Sequence, residues 1–193
     1  MRTVLTAAVA VFVALAAGGC HHAATPAPEA STEASTSSVG MTTGAPADVT
    51  FLEDMVIHHQ QALELAAMVP IQSSDSALRA FAEQNATQQR TELQGCQAQL
   101  LQWEVPGGHS GRDKPADIPG MVDQATIEKL RGLRGRAFET LWLQTMIAHH
   151  RGAIAMAQNE IEHGQSPEAI SIAQSLVPFQ QAEINQMNQL LGA

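Results

Sequence analysis

Met55-Val-Ile-His58-His59-Gln-Gln-Ala62 returns later in the chain as Met146-Ile-Ala-His149-His150-Arg-Gly-Ala153, each matched position 91 residues on. The same offset pairs Phe51 with Trp142, Leu52 with Leu143, Asp48 with Glu139, Ala66 with Ala157, Glu92 with Glu183 and Cys96 with Met187. Self-similarity at a fixed spacing marks a supersecondary unit written twice, here a helical hairpin. In the first copy an apolar stripe runs through Phe51, Met55, His58, Ala62, Leu65 and Ala66; in the second it runs through Phe138, Trp142, Met146, His149, Ala153, Met156 and Ala157. Both stripes keep the helical period. His58 and His149 therefore fall on faces that a fold must bury. His59 and His150 lie one residue further round and follow Met55 and Met146 by four, on the same flank.

Four main helices are predicted. The first begins near Asp48 or Thr50, where Thr50-Phe-Leu-Glu53 has the form of a capping box, and ends before Pro70. The second opens at Ser74 or Asp75 and runs to about Trp103. Residues 104–120, rich in Gly, Pro and charge, form a crossover loop, and a short helical turn from about Asp123 leads to the third helix, Arg134 to His163. Gly164 closes that helix as a C-cap, and Ser166-Pro167-Glu168 opens the fourth, with Ser as cap and Pro in the first turn. Two hairpins and a longer crossover make an all-α four-helix bundle the natural architecture.

Residues 1–19 read as a secretion signal: Arg2 supplies the charge and Val4 to Ala17 the apolar run, which is too short for a permanent bilayer span. The run ends in Leu15-Ala-Ala-Gly-Gly-Cys20, which resembles a bacterial lipobox. That resemblance implies cleavage before Cys20, lipidation of its thiol and tethering to the outer face of a membrane; the alternative is ordinary cleavage and release. Residues 20–47, dominated by Ala, Thr, Ser and Pro, form a disordered tether after the lipidated cysteine, and His21 and His22 are read as a solvated pair within it.

Residues 48–193 form one domain, carrying 17 acidic against 9 basic residues and thus all but one of the chain's nine net negative charges. This balance speaks against a nucleic-acid partner, and the basic cluster Lys129, Arg131, Arg134 and Arg136 reads as a solvated helix face. With Cys20 lipidated, Cys96 is the one thiol left, so no intrachain disulfide supports the fold.

Each of the first and third helices offers a thioether and two imidazoles within one turn. The partner helices repeat an i, i+4 pair, Glu92 with Cys96 and Glu183 with Met187. Thiol, thioether and imidazole are the donors a soft ion such as Cu(I) or Ag(I) prefers, whereas Mg²⁺ and Ca²⁺ call for oxygen. Methionine at helical spacing is ordinarily core filler, and a lone inward histidine is ordinarily hydrogen-bonded. Two inward doublets preserved through a duplication are harder to treat so, because four buried imidazoles are costly unless partners satisfy them.

Phe138-Glu139-x-x-Trp142-Leu143-x-x-Met146-Ile147-x-His149-His150-x-Gly152-Ala153-Ile154-x-Met156-Ala157, with Pro119-Gly120-Met121 before it and Glu183-Ile184-x-x-Met187 after it, resembles the CopM-like family of exported bacterial proteins, most of whose members are known only as a domain of unknown function. The resemblance covers about Asp48 to Ala193 and implies a ferritin-like four-helix bundle in the cell envelope that binds Cu(I) and Ag(I) through Met and His. The first half departs from the pattern: Leu65 stands where Met156 has its thioether, and Cys96 stands in for Met187.

The leading expectation is a binding protein, not an enzyme: an envelope-anchored module for sequestering or delivering soft metal ions, with a delivery partner left open. Met146, His149, His150, Met156 and Met187 would carry one site; Met55, His58 and His59, with Cys96, a second or composite one. Histidine ligation predicts that affinity falls between pH 7 and pH 5. A ferritin-like di-iron oxidase is the enzymatic alternative, but Glu160-x-x-His163 is the one Glu-x-x-His in the chain and Val69 stands at the position matching Glu160. A third reading is an interaction lipoprotein in which the imidazoles bond to Asp48, Glu92, Glu139 and Glu183 as a structural network. No hydrolase or nucleotide-binding motif is present.

Overall fold

Pro46 opens the first helix, α1 (Pro46–Gln72), as a first-turn residue has no intrahelical use for its missing N–H. In the computed structural model, which describes residues 44–105 and 115–192, α1 thus begins two residues before the expected start of the domain. The signal segment, Cys20, the tether to residue 43 and most of the crossover lie outside the described residues. The Thr50-Glu53 capping box does not form: Thr50 sits inside the helix and its hydroxyl donates back to the Pro46 carbonyl at 2.8 Å. Pro70 does not stop α1 either. It lies near the C-terminal end, where only one backbone acceptor is left short, and the chain continues to Gln72 before Ser73 N–H closes on the Val69 carbonyl at 2.9 Å.

The second helix, α2 (Ser76–Gln102), follows Asp75, whose carboxylate accepts from Leu78 N–H at 2.7 Å. Across the crossover a 3₁₀ turn (Pro115–Asp117) precedes a nine-residue helix, α3 (Gln124–Gly132), longer than the single turn expected and capped by Asp123. α4 (Gly135–His163) and α5 (Pro167–Gly192) form the second hairpin. Gly164 ends α4 in an extended rather than left-handed conformation; a Cβ there would lie 2.5 Å from the Glu160 carbonyl. The α5 start matches its sequence signal, with Ala169 N–H donating to the Ser166 hydroxyl and the Asp48 carboxylate accepting from the amides of Gln165 and Ser166 at 3.0 and 2.7 Å.

The fold is all-helical, with no strand among the described residues. α1 packs on α2 and α4 on α5 as two hairpins, which join through α1 against α4 and α2 against α5. α1 and α4 run antiparallel: Phe51 and Met156 line one cavity, His58 stacks on His149, and the Trp142 indole donates to the Leu65 carbonyl at 2.9 Å. Each of these contacts exchanges positions related by the repeat, since Trp142 is the copy of Phe51 and Met156 the copy of Leu65. The duplication has become a local two-fold whose axis passes between His58 and His149. No helix among the described residues is long and apolar enough to cross a membrane.

Candidate metal centre

The imidazoles form a layer between two apolar clusters. On one side Met68, Phe81, Trp142, Met146 and Met187 pack together; on the other Phe51, Met55, Cys96, Trp103 and Met156 do. All nine residues singled out as candidate ligands are buried, with Met156 the most exposed at 9%. The structure divides the second-hairpin set: Met146 and Met187 lie in one cluster, while Met156 joins Met55 and Cys96 in the other. Among the imidazoles the pair that meets across the hairpins is His58 and His149, with ring centroids 3.6 Å apart and planes tilted by 32°. His59 and His150 flank it, their centroids 6.3 and 6.2 Å from their neighbours in sequence.

Two rings are held from outside and two are not. His59 Nδ1–H donates to Gln89 Oε1 at 2.6 Å, which leaves Nε2 as a bare lone pair with Glu92 3.8 Å away. His150 Nε2 lies 2.9 Å from Glu183 Oε2 and 3.2 Å from the Asn85 amide. A carboxylate accepts only, so Nε2 carries the proton and Asn85 must turn its oxygen to it; His150 Nδ1 is then the free lone pair. Neither nitrogen of His58 or His149 has a hydrogen-bond partner. The Pro119 and His149 carbonyls stand near the His58 ring, and the His58 carbonyl near the His149 ring, without closing a bond of good geometry. Orphaned polar atoms at this depth are rare in folded proteins and mark a function or a missing ligand.

Burial is the first cause of the electrostatics. It lowers His58 and His149 well below the ordinary imidazole range, and mutual repulsion among the rings lowers them further. His59 falls to about 4, with burial outweighing the Gln89 bond. Burial thus keeps His58, His59 and His149 in the neutral form, the one able to ligate, below the ordinary imidazole range. Burial also raises Glu92 to about 7, although the amides of Gln88 and Gln180 each donate to it at 2.9 Å. Burial pushes the Cys96 thiol up to about 12, so a metal there would have to displace a tightly held proton.

The predicted acid network is realised in part. Among the described residues Glu183 bonds an imidazole, but Glu92 is too far from His59, Asp48 serves the α5 terminus, and Glu139 accepts from the Ser73 hydroxyl at 2.6 Å. Gln89, Gln180 and Asn85 were missed from sequence. Gln89 and Gln180 are themselves 91 residues apart, so the repeat carried the signal for two of them. Glu160 and His163 lie at the C-terminal end of α4, outside the imidazole layer.

Residues 119–122, which follow the 3₁₀ turn, are strapped across this layer. The Gln61 amide pairs with Val122 in both directions, at 3.0 and 2.7 Å, and Pro119-Gly120 presses on Gly152, where a Cβ would come within 2.2 Å of the Pro119 carbonyl. Gly120 itself has φ +80°, a conformation suited to glycine. Among the described residues no three His, Cys, Asp or Glu side chains converge as a closed coordination shell. Because the two central rings meet face to face, chelation requires them to turn their nitrogens to a common point.

A family model described as DUF305, a domain of unknown function, matches residues 48–191. The crystal structure of a DUF305 protein of Streptomyces coelicolor, provisionally described as secreted, is 32% identical over 76% of this chain and 92% of its own, with a TM-score of 0.69. A DUF305 fragment from Deinococcus radiodurans is likewise 32% identical, over 78% of this chain and 99% of its own, with a TM-score of 0.72. CopM in its Cu(I)-bound form is 25% identical over 74% of this chain and 94% of its own, with a TM-score of 0.63; Cu(II)- and Ag-bound forms of CopM match as well. Among curated proteins none matches the chain.

Proposed function

The chain belongs to the DUF305 family, and on that premise we propose that it is a binding protein for soft metal ions, Cu(I) and Ag(I), and not an enzyme. The observation that carries the reading is the set of bare ring nitrogens on four buried imidazoles, bracketed by thioethers on both sides. These donors fit a monovalent soft ion, and CopM, solved with copper and with silver, supports the same class of cargo. His58, His59, His149 and His150 would supply nitrogen, with Met55, Cys96 and Met156 on one side of the layer and Met146 and Met187 on the other. Gln89 and Glu183 would fix the tautomers of the outer rings, as partners of metal-bound histidines do.

In this reading the four long helices are a ferritin-like bundle, the N-terminal segment exports the chain, and lipid on Cys20 tethers it in the envelope, where it sequesters or delivers metal. The secreted description of the Streptomyces coelicolor relative favours export. A structural polar network is the second reading, favoured by the His59–Gln89 and His150–Glu183 bonds. An oxidase of the ferritin type has less support, because Glu160-x-x-His163 has no counterpart in the first hairpin.

Non-denaturing mass spectrometry of the full chain, titrated anaerobically with Cu(I) against a competing chelator, tests the proposal. Stoichiometric uptake is expected, and the His149→Ala/His150→Ala double variant should lose it. Uptake no greater than that of the folded double variant would overturn the metal reading and leave the structural network.

A further inference from the structure

The Glu160–His163 pair plays no part in the imidazole layer, yet it is not idle surface. With Phe51, Asp54, Met156 and Asn159 it lines a cavity of about 470 Å³ between the start of α1 and the end of α4. Glu160 is 3% exposed, and its Oε1 has no hydrogen-bond partner. Elsewhere its carboxyl engages Asp48, whose two oxygens already accept the Gln165 and Ser166 amides. Gly164 shapes the same wall: a Cβ there would stand 2.5 Å from Glu160 Oε1.

Two adjoining carboxyls resist joint ionisation unless a cation joins them. Burial and the Asp48 charge accordingly push Glu160 up to about 7. At the mouth His163 Nδ1–H donates to the Asn159 carbonyl at 3.1 Å, which leaves Nε2 as an acceptor. The cavity therefore shows acceptors to its occupant, and Phe51 and Met156 add apolar wall. The volume is that of a small-molecule site.

We propose that this cavity binds a small organic cation, an ammonium or guanidinium group carried on an apolar body, with the unpartnered Glu160 oxygen as its anionic contact. Asn159 and His163 Nε2 accept further N–H groups, and the apolar body lies against Phe51 and Met156. The cavity shares Met156 with the soft-metal reading, but the proposal does not rest on that reading and is tested without metal.

Isothermal titration calorimetry of the metal-free full chain with phenethylamine and with agmatine provides the test, with phenethyl alcohol as the neutral control. At least one amine should bind saturably at a single site and more tightly than the alcohol. Glu160→Gln, which keeps the shape and removes the charge, should weaken that binding by about tenfold or more. In a parallel titration followed by NMR of methionine methyl groups, the Met156 resonance should move and that of Met187, in the opposite cluster, should not. Failure of both amines to bind saturably, binding of the alcohol as tight as that of the amines, or a Met156 resonance that stays fixed would each overturn the proposal. So would unchanged affinity in a folded Glu160→Gln variant.

Discussion

His59→Leu isolates what a buried imidazole does to stability. His59 is fully buried and held at a pKa of about 4, against 6.5 for the free ring, with burial the largest cause. The folded value lies below the unfolded one, so the unfolded chain takes up a proton first. The contribution is therefore fully present above pH 6.5 and is lost as pH falls towards 4. The loss integrates to about 2 kcal/mol by pH 5 and about 3 kcal/mol below pH 4. Glu92, raised to about 7, works in the opposite sense: it destabilises the fold above that pH and is relieved as pH falls towards 4.5. The raw slope of the native protein thus mixes the two. His59 is not among the causes that set Glu92, so substituting His59 leaves the Glu92 contribution in place. Removing one ring also eases repulsion on His58, which acts in the same direction as the loss of His59 itself. Urea unfolding of the metal-free native chain and His59→Leu, at pH 7.5 and pH 5, should show the native protein losing about 2 kcal/mol relative to the variant. A difference between the two proteins that is the same at both pH values would refute the argument that His59 is buried neutral.

Gly152→Ala sets a Cβ 2.2 Å from the Pro119 carbonyl; overpacking against backbone should cost about 1–3 kcal/mol, with faster hydrogen exchange over residues 118–122, and a neutral melt would contradict the close approach. Cys96, buried and pushed up to about 12, should resist iodoacetamide in the native state at pH 8 and react once unfolded, as read by peptide mass mapping; rapid native labelling would place it at the surface. Asp48→Ala strips the acceptor from two amides at the start of α5 and should lower thermal stability by about 1–2 kcal/mol, and an unchanged melt would mean that Ser166 suffices as the cap.

The stripes through His58 and His149 were legible because duplication and helical period are local properties of the sequence, and every residue assigned to them is buried. The α5 signal at Ser166-Pro167 was equally plain. Sequence puts the start of α1 too late because Pro46 and Thr50 offer competing local chemistry, and in the fold the Thr50 hydroxyl bonds the carbonyl four residues back. Pro70 reads as a stop in sequence, yet α1 runs on to Gln72 because a proline close to a helix end costs a single acceptor. The separation of Met156 from Met146 is helix spacing, ten residues of α4 or about 15 Å of rise, but the company each keeps, Met187 beside Met146 and Met55 with Cys96 beside Met156, is set by how the helices pack. The tilt of His58 on His149 is equally a property of two chain segments far apart in sequence.

The local two-fold through the His58–His149 stack has a consequence for how such a molecule can arise. A hairpin that places its own histidine on a symmetry axis can meet a second copy of itself, ring on ring, as an isologous dimer. Joining the two copies in one chain turns an encounter that depends on concentration into one governed by the length of the connection. It also frees each half to vary. Gln61 and Gly152 occupy the same place in the two copies, yet one clamps the crossover with an amide and the other makes room for it. A true dimer of identical hairpins would have to use one residue for both tasks.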